Sequence, residues 1–242
     1  MQPTVNTYLI SDTAFTLSFE LPIGEAAHQL VMLATQAIKG RLGHAYADMV
    51  PAYTSLTIYF DDTATLEANL RPIEKVVTDI VRSTANNTEN SNISDAERKV
   101  VESTLSVIHV PVCYDQSLAN GLNQVMDFLQ LSLQEIIERH TNLLYKVYMI
   151  GFVPGFAYMG TLDPTLYLPR KKTPSRNVPA GSVAIAADQT GIYPFEVPGG
   201  WHVIGRTPLT MFNKHREPVC LLQPGQWVRF FSISLGEFNA TQ

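Results

Sequence analysis

The sequence predicts an α+β N-terminal domain followed by a mainly-β barrel domain. Three observations carry that prediction. Strands and amphipathic helices share the first third of the chain; a polar tract then interrupts all periodicity; and from Tyr145 onward short β-prone runs are cut by Gly and Pro. The tract is Ser83–Asp95, where Asn86, Asn87 and Asn92 sit among Ser and Thr with almost nothing apolar. Such a segment buries too little surface to offset its ordering entropy, so it reads as a linker. The expected organisation is a domain over 1–85, a linker over 86–103 and a second domain over 104–242.

In the first domain, Val5–Ile10 and Phe15–Phe19 are β-rich runs around Ser11-Asp12-Thr13, a hairpin signature. Glu25–Lys39 keeps Ala27, Leu30, Val31, Ala34, Ala37 and Ile38 on one helical face, with Gly40 as the expected stop. Ser55–Phe60 alternates as a strand, and a second helix is expected after Pro72, where Ile73, Val76, Val77, Ile80 and Val81 hold the 3.6 period. In the second domain, Thr104–Val112 is β-branched and strand-like. Leu118–His140 is helical and contains Ser132-Leu133-Gln134-Glu135, a capping box. Lys146–Ile150, Val183–Ala187, Trp201–Ile204, Val219–Leu222 and Val228–Ile233 are then expected strands of a closed or nearly closed barrel.

Composition narrows the function classes. With 45% hydrophobic and 16% charged residues the chain is globular. Its net charge of −5 argues against a general nucleic-acid or acidic-membrane binder, which needs a broad basic field. Residues 1–103 hold 13 acids and 7 bases, whereas 104–242 hold 9 acids and 10 bases, so an anion site belongs in the second half. Two cysteines, Cys113 and Cys220, cannot staple a fold and fit a reducing, cytoplasmic setting. No signal peptide is expected, and no apolar run reaches the ~20 residues of a membrane span.

The chemistry concentrates in Gly151–Pro208, which holds 8 of the 15 prolines and 8 of the 14 glycines. Proline fixes φ and glycine lets the backbone approach closely, so such loops are rigid before any ligand arrives. From Pro164 to Ala187 there are four cations and no acid. Arg170 and Arg176 are the preferred anion ligands there, because a guanidinium presents a fork of donors; Lys171 and Lys172 read as a solvated loop. Arg206 either joins the same site or pairs elsewhere. Gly-x-x-x-x-Gly-Lys-Ser/Thr, Gly-x-Gly-x-x-Gly, His-Glu-x-x-His, Cys-x-x-Cys and Gly-x-Ser-x-Gly are all absent, so no self-contained nucleotide, metal or hydrolase signature is expected, and no catalytic residue is identifiable. Cys113 and His109 stand four apart on a strand, ~13 Å at ~3.3 Å per residue, too far for a nucleophile–base pair.

Gly151-Phe152-Val153-Pro154-Gly155-Phe156-Ala157-Tyr158, Pro169-Arg170, Val178-Pro179-Ala180-Gly181-Ser182-Val183-Ala184-Ile185, Tyr193-Pro194 and Pro198-Gly199-Gly200-Trp201-His202-Val203-Ile204-Gly205-Arg206-Thr207-Pro208 follow one another in order. This series resembles the family that includes the B subunit of 5-oxoprolinase, allophanate hydrolase subunit 1 and the kinase inhibitor KipI. Val50–Leu56, Val110–Tyr114 and Pro224-Gly225…Val228-Arg229-Phe230 extend the resemblance over most of the chain. It implies a carboxyltransferase domain with a cyclophilin-like C-terminal half. It also implies ATP-dependent opening of 5-oxoproline to glutamate in a heteromeric complex. The implied partners are the larger subunit of the same family (the C subunit of 5-oxoprolinase or allophanate hydrolase subunit 2) and a LamB/YcsF-type subunit, with ATP acting in the assembly. Arg170, Arg176 and Arg206 are then expected at the anion, and Tyr158, Tyr193 and Trp201 on the pocket wall. His202 and His140 complete the expected set; His140 also ends a helix, where a cation is favoured. A urea or allophanate-processing subunit and a KipI-like inhibitor of a sensor histidine kinase share these motifs and stay open as alternatives.

Overall fold

The computed structural model describes residues 4–87 and 107–241, and the chain divides into two compact units, Met1–Val100 and Val101–Gln242. Most of the expected linker lies outside the described residues; its first two positions, Asn86 and Asn87, are the end of a helix.

The first unit is a four-stranded antiparallel sheet made from β1 (Val5–Ser11), β2 (Ala14–Phe19), β3 (Asp48–Pro51) and β4 (Ser55–Tyr59), in the order β1-β2-β4-β3. Strand alternation sends Phe15, Leu17 and Phe19 of β2, with Leu56 and Ile58 of β4, to one buried face. Helices α1 (Glu25–Leu42) and α2 (Thr63–Asn87) cover it with Leu30, Val31, Ala34, Ile38, Ile73 and Val77. Two helix boundaries differ from expectation. Helix α1 runs through Gly40 and stops at Gly43, whose φ of 57° suits glycine and whose N–H bonds Lys39 O at 3.0 Å. Helix α2 starts at Thr63, and Pro72 lies inside it. The start is set by Asp62, which accepts from the Thr65 N–H at 2.8 Å. Proline removes a donor to the carbonyl four residues back, and here that residue is the exposed Ala68, which water can serve.

The second unit is a cyclophilin-like, nearly closed barrel. Its sheet is built from β5 (Val107–Val112), β6 (Leu144–Ile150), β7 (Ala157–Gly160), β9 (Ser182–Ala186), β10 (Gln189–Ile192), β12 (His202–Arg206) and β13 (Trp227–Ser232), in the order β12-β9-β10-β7-β6-β13-β5. Closure comes from one antiparallel bridge, in which Cys113 and Arg206 exchange backbone hydrogen bonds of 2.8 and 2.9 Å. A side chain at Gly205 would defeat this, since a Cβ there would sit 2.6 Å from Val112 Cγ1. The bridge accounts for Cys113: it is 2% exposed and burial pushes its thiol pKa up, whereas His109 is exposed.

The expected helix Leu118–His140 is two helices, α3 (Leu122–Leu129) and α4 (Leu133–Thr141), separated at Gln130 with φ 54°. The capping box starts the second one, with Ser132 N–H on Glu135 Oε2 at 2.8 Å. Ser234 and Glu237 repeat the device at α5 (Leu235–Ala240). Val219–Leu222 is not a strand; only Cys220 pairs, in an isolated bridge with Phe212. Strands β8 (Ser175–Val178) and β11 (Val197–Gly199) form a separate two-stranded ribbon. Among the described residues no helix is long and apolar enough to cross a membrane.

Candidate functional site

A pocket of about 290 Å³ opens where the β6–β7 loop, the Arg170 loop and the Pro198–Trp201 turn converge. Its centre is Phe156, 1% exposed, around which Phe152, Tyr158, Tyr193 and Trp201 pack edge-on at centroid separations of 5.7, 4.7, 5.0 and 5.5 Å. Edge-to-face pairs contribute about 0.5–1.5 kcal/mol each beyond area, so five rings held this way form a stiff wall. Glycines make room for it. A Cβ on Gly191 would lie 2.8 Å from Phe156 Cζ, and one on Gly199 would lie within 2.3 Å of Tyr193 Oη. The sequence motif therefore uses glycine here to clear space for rings, in addition to making turns.

Phe152 is placed by its backbone. Val153 N–H bonds Gly151 O at 2.8 Å across Phe152, whose φ is 65°. That is a three-residue turn of the positive-φ kind, rare and strained for a bulky residue. It holds the ring 60% exposed at the pocket rim.

The cation of the pocket is Arg170, whose guanidinium carbon lies 6.0 Å from the Trp201 ring centroid. Burial raises the pKa of both Tyr158 and Tyr193, against which the nearby Arg170 pulls downward. Both phenols are therefore neutral donors at pH 7. Among the described residues no acid, histidine or cysteine lines the pocket. The groups it offers a ligand are one guanidinium, two phenol donors and aromatic faces.

Four of the eight expected site residues meet here: Arg170, Tyr158, Tyr193 and Trp201. The other four do not line the pocket. Arg176 is exposed on β8, outside it. Arg206 donates from Nε to Ala180 O at 2.7 Å and lies over Phe238 at 5.9 Å, so it braces the barrel closure. His202 donates from Nε2 to Pro169 O at 2.9 Å. Lys171, expected in solvent, is half-buried, with Nζ on Ser175 Oγ at 3.1 Å.

His140 lies in the barrel core, 0% exposed and stacked on Phe230 at 4.5 Å. Thr190 gives its hydrogen to Ala184 O at 3.2 Å, so it accepts from His140 Nε2 at 3.0 Å, and Nδ1 accepts from the Tyr114 hydroxyl at 2.7 Å. This chain of hydrogen bonds requires the neutral ring. Burial lowers the His140 pKa to about 3, overriding the helix-end preference for a cation. Phe152 and Phe156 belong to the quoted motif, but their role in the wall is not legible from it, because spacing does not say which way a loop turns.

A larger, shallower recess of about 450 Å³ beside Cys113, Asp115 and Ser234 is lined by no arginine or lysine and by no aromatic cluster among the described residues. Among the described residues no group of three or more His, Cys, Asp or Glu is placed to hold a metal ion.

The family model for the carboxyltransferase domain, subdomain C and D, matches residues 5–222, which spans both units. The chain belongs to this family. Within it, the chain is 35% identical to the 5-oxoprolinase B subunit of Bacillus subtilis over 235 residues, covering 96% of this chain and 94% of the relative. It is 34% identical to the 5-oxoprolinase B subunit of Escherichia coli O157:H7 over 229 residues, covering 92% and 94%. The urea amidolyase of Kluyveromyces lactis shares the fold, with a TM-score of 0.70 at 14% identity, over 99% of this chain and 15% of that enzyme. In that larger enzyme the matched fold is one part of a longer polypeptide.

Proposed function

We propose that this chain is the B subunit of an ATP-dependent 5-oxoprolinase, holding 5-oxo-L-proline while partner subunits supply the rest of the machinery. The observation that carries this reading is the aromatic pocket with one arginine, in a chain about one-third identical to proteins named as 5-oxoprolinase B subunits. 5-Oxoproline is a five-membered lactam with one carboxylate. Its carboxylate suits the Arg170 guanidinium, its flat ring suits Trp201 and Tyr158, and its lactam oxygen suits a phenol donor. A volume of about 290 Å³ takes such a molecule and is small for a nucleoside triphosphate. The chain also lacks a glycine-rich phosphate loop, and we assign ATP to the assembled complex.

The part of this chain is positioning and charge. Fixed donors orient the ring and meet negative charge without reorganising, while the aromatic wall limits water. We assign the general base to the partner, since among the described residues no carboxylate or imidazole lines this pocket. The proposed partners are the larger subunit of the same family and a LamB/YcsF-type subunit, and the proposed location is the cytoplasm. Co-expression with those subunits is expected to give ATP-dependent glutamate release from 5-oxoproline, and this chain alone is expected to give none. Full activity from the partners without this chain would refute the proposal.

A further inference from the structure

Arg170 lies on a segment with no strand of its own, between the 3-10 turn Pro164–Leu166 and β8. Three ties fix that segment. Ala187 N–H bonds Leu168 O at 2.7 Å, His202 Nε2 donates to Pro169 O at 2.9 Å, and Lys171 N–H bonds Gly200 O at 2.8 Å. The last two flank Arg170 on either side, and both reach the segment Gly200-Trp201-His202. Residues 169 to 171 are thus held alongside residues 200 to 202, with the two central side chains, Arg170 and Trp201, in cation–π contact.

Of the two flanking ties, the one at Lys171 is backbone to backbone and indifferent to sequence. The one at Pro169 depends on the side chain of His202. A carbonyl only accepts, so Nε2 carries the hydrogen; Nδ1 is buried and has no hydrogen-bond partner among the described residues. The imidazole therefore makes a single directed bond, to the residue next to the pocket's arginine. Proline at 169 suits this arrangement, because it offers a carbonyl while its own missing N–H demands no partner.

We infer that His202 is a positioning residue that holds Arg170 over Trp201, so that the guanidinium is aimed into the pocket before a carboxylate ligand arrives. This rests on the reading of the pocket as a carboxylate site. Preorganised donors bind tighter because less ordering remains to be done on binding. His202 touches no ligand, and its effect is transmitted through the Pro169 carbonyl.

The test uses the full chain co-expressed with its partner subunits, with 5-oxoproline as the varied substrate. His202→Ala is expected to raise KM about fivefold with kcat within about twofold, the scale of one neutral hydrogen bond. His202→Gln, whose side-chain N–H₂ reaches a similar point, is expected to restore KM to within about twofold. Arg170→Ala is expected to raise KM about thirtyfold, as for loss of a charge-assisted contact. On that background His202→Ala is expected to add less than about twofold, because there is no guanidinium left to aim. Should His202→Ala fail to fold, His202→Asn, which keeps an amide but falls short of the Pro169 carbonyl, carries the same expectation. A wild-type KM in His202→Ala or His202→Asn, with KM raised in Arg170→Ala, overturns the positioning role and leaves the pocket reading standing. Full additivity of the two changes also overturns it. A wild-type KM in Arg170→Ala overturns the pocket reading and this inference together.

Discussion

Replacing His140 by Phe isolates the buried hydrogen-bond chain that runs from Tyr114 to Ala184 O. The new ring retains the stacking on Phe230 but accepts nothing, so the Tyr114 hydroxyl, 3% exposed, is left without its acceptor. An orphaned buried donor costs about 1–3 kcal/mol. Thr190 keeps its bond to Ala184 O and loses only an incoming one, a smaller effect. The expected loss is about 2–3 kcal/mol, or roughly 1 M in the urea midpoint. Both tryptophans, Trp201 and Trp227, lie in the barrel unit, so their fluorescence reports that unit. Adding Tyr114→Phe removes the orphan and is expected to recover about half of the loss. Acid adds an independent check. The fold holds His140 neutral down to about pH 3, whereas the unfolded chain takes up the proton near 6.5. The stability this provides is fully present above about 6.5 and falls as pH drops toward 3, by up to about 1.4 kcal/mol per pH unit. The Phe variant lacks this dependence, so the gap between it and wild type should narrow between pH 6.5 and 4. An unchanged midpoint in His140→Phe, or no recovery in the double variant, refutes the hydrogen-bond account. A well-folded His140→Phe complex with kcat lost more than about tenfold would return His140 to the chemistry.

Arg176→Ala is expected to leave KM for 5-oxoproline within about twofold, as suits an exposed residue outside the pocket, and a change above tenfold contradicts the pocket assignment. Gly199→Ala places a Cβ within 2.3 Å of Tyr193 Oη and should raise KM at least about tenfold by displacing the phenol; steady-state kinetics of the complex decide this. Gly205→Ala should destabilise the barrel by about 2 kcal/mol, because the added methyl meets Val112 Cγ1 at 2.6 Å and the Cys113 carbonyl at 3.0 Å. Tryptophan-monitored urea unfolding reads that loss, and a wild-type midpoint would show that closure tolerates the bulk.

Periodicity and capping chemistry are local, and they carry a reading of the sequence far. The hairpin around Ser11–Thr13, the apolar face of α1, the Ser132/Glu135 box and the change to short Gly/Pro-bounded strands all follow from residues within a few positions of one another. The motif series identifies the family and places Arg170, Tyr158, Tyr193 and Trp201 together in one region. Helix boundaries are weaker because they depend on competition. Gly40 tolerates helix as well as ending it, and Pro72 is admitted where the carbonyl it strands can reach water.

The surroundings of the remaining candidates are set by the path of the chain in space. Arg170, Arg176 and Arg206 are equivalent as residue types, yet one is stacked over an indole, one is in solvent and one is bonded to Ala180 O. His140 and His202 likewise look alike in sequence. One is sealed in the barrel by Tyr114, Thr190 and Phe230, and the other reaches a loop 33 residues away through a single hydrogen bond. By itself the sequence determined the fold class and the family, because patterning, caps and motif order are written along the chain. Only the tertiary structure decided that Arg170 lines the aromatic pocket and that His202 bonds Pro169 O beside it, because strand pairing and barrel closure bring together residues whose separation in sequence carries no sign of contact.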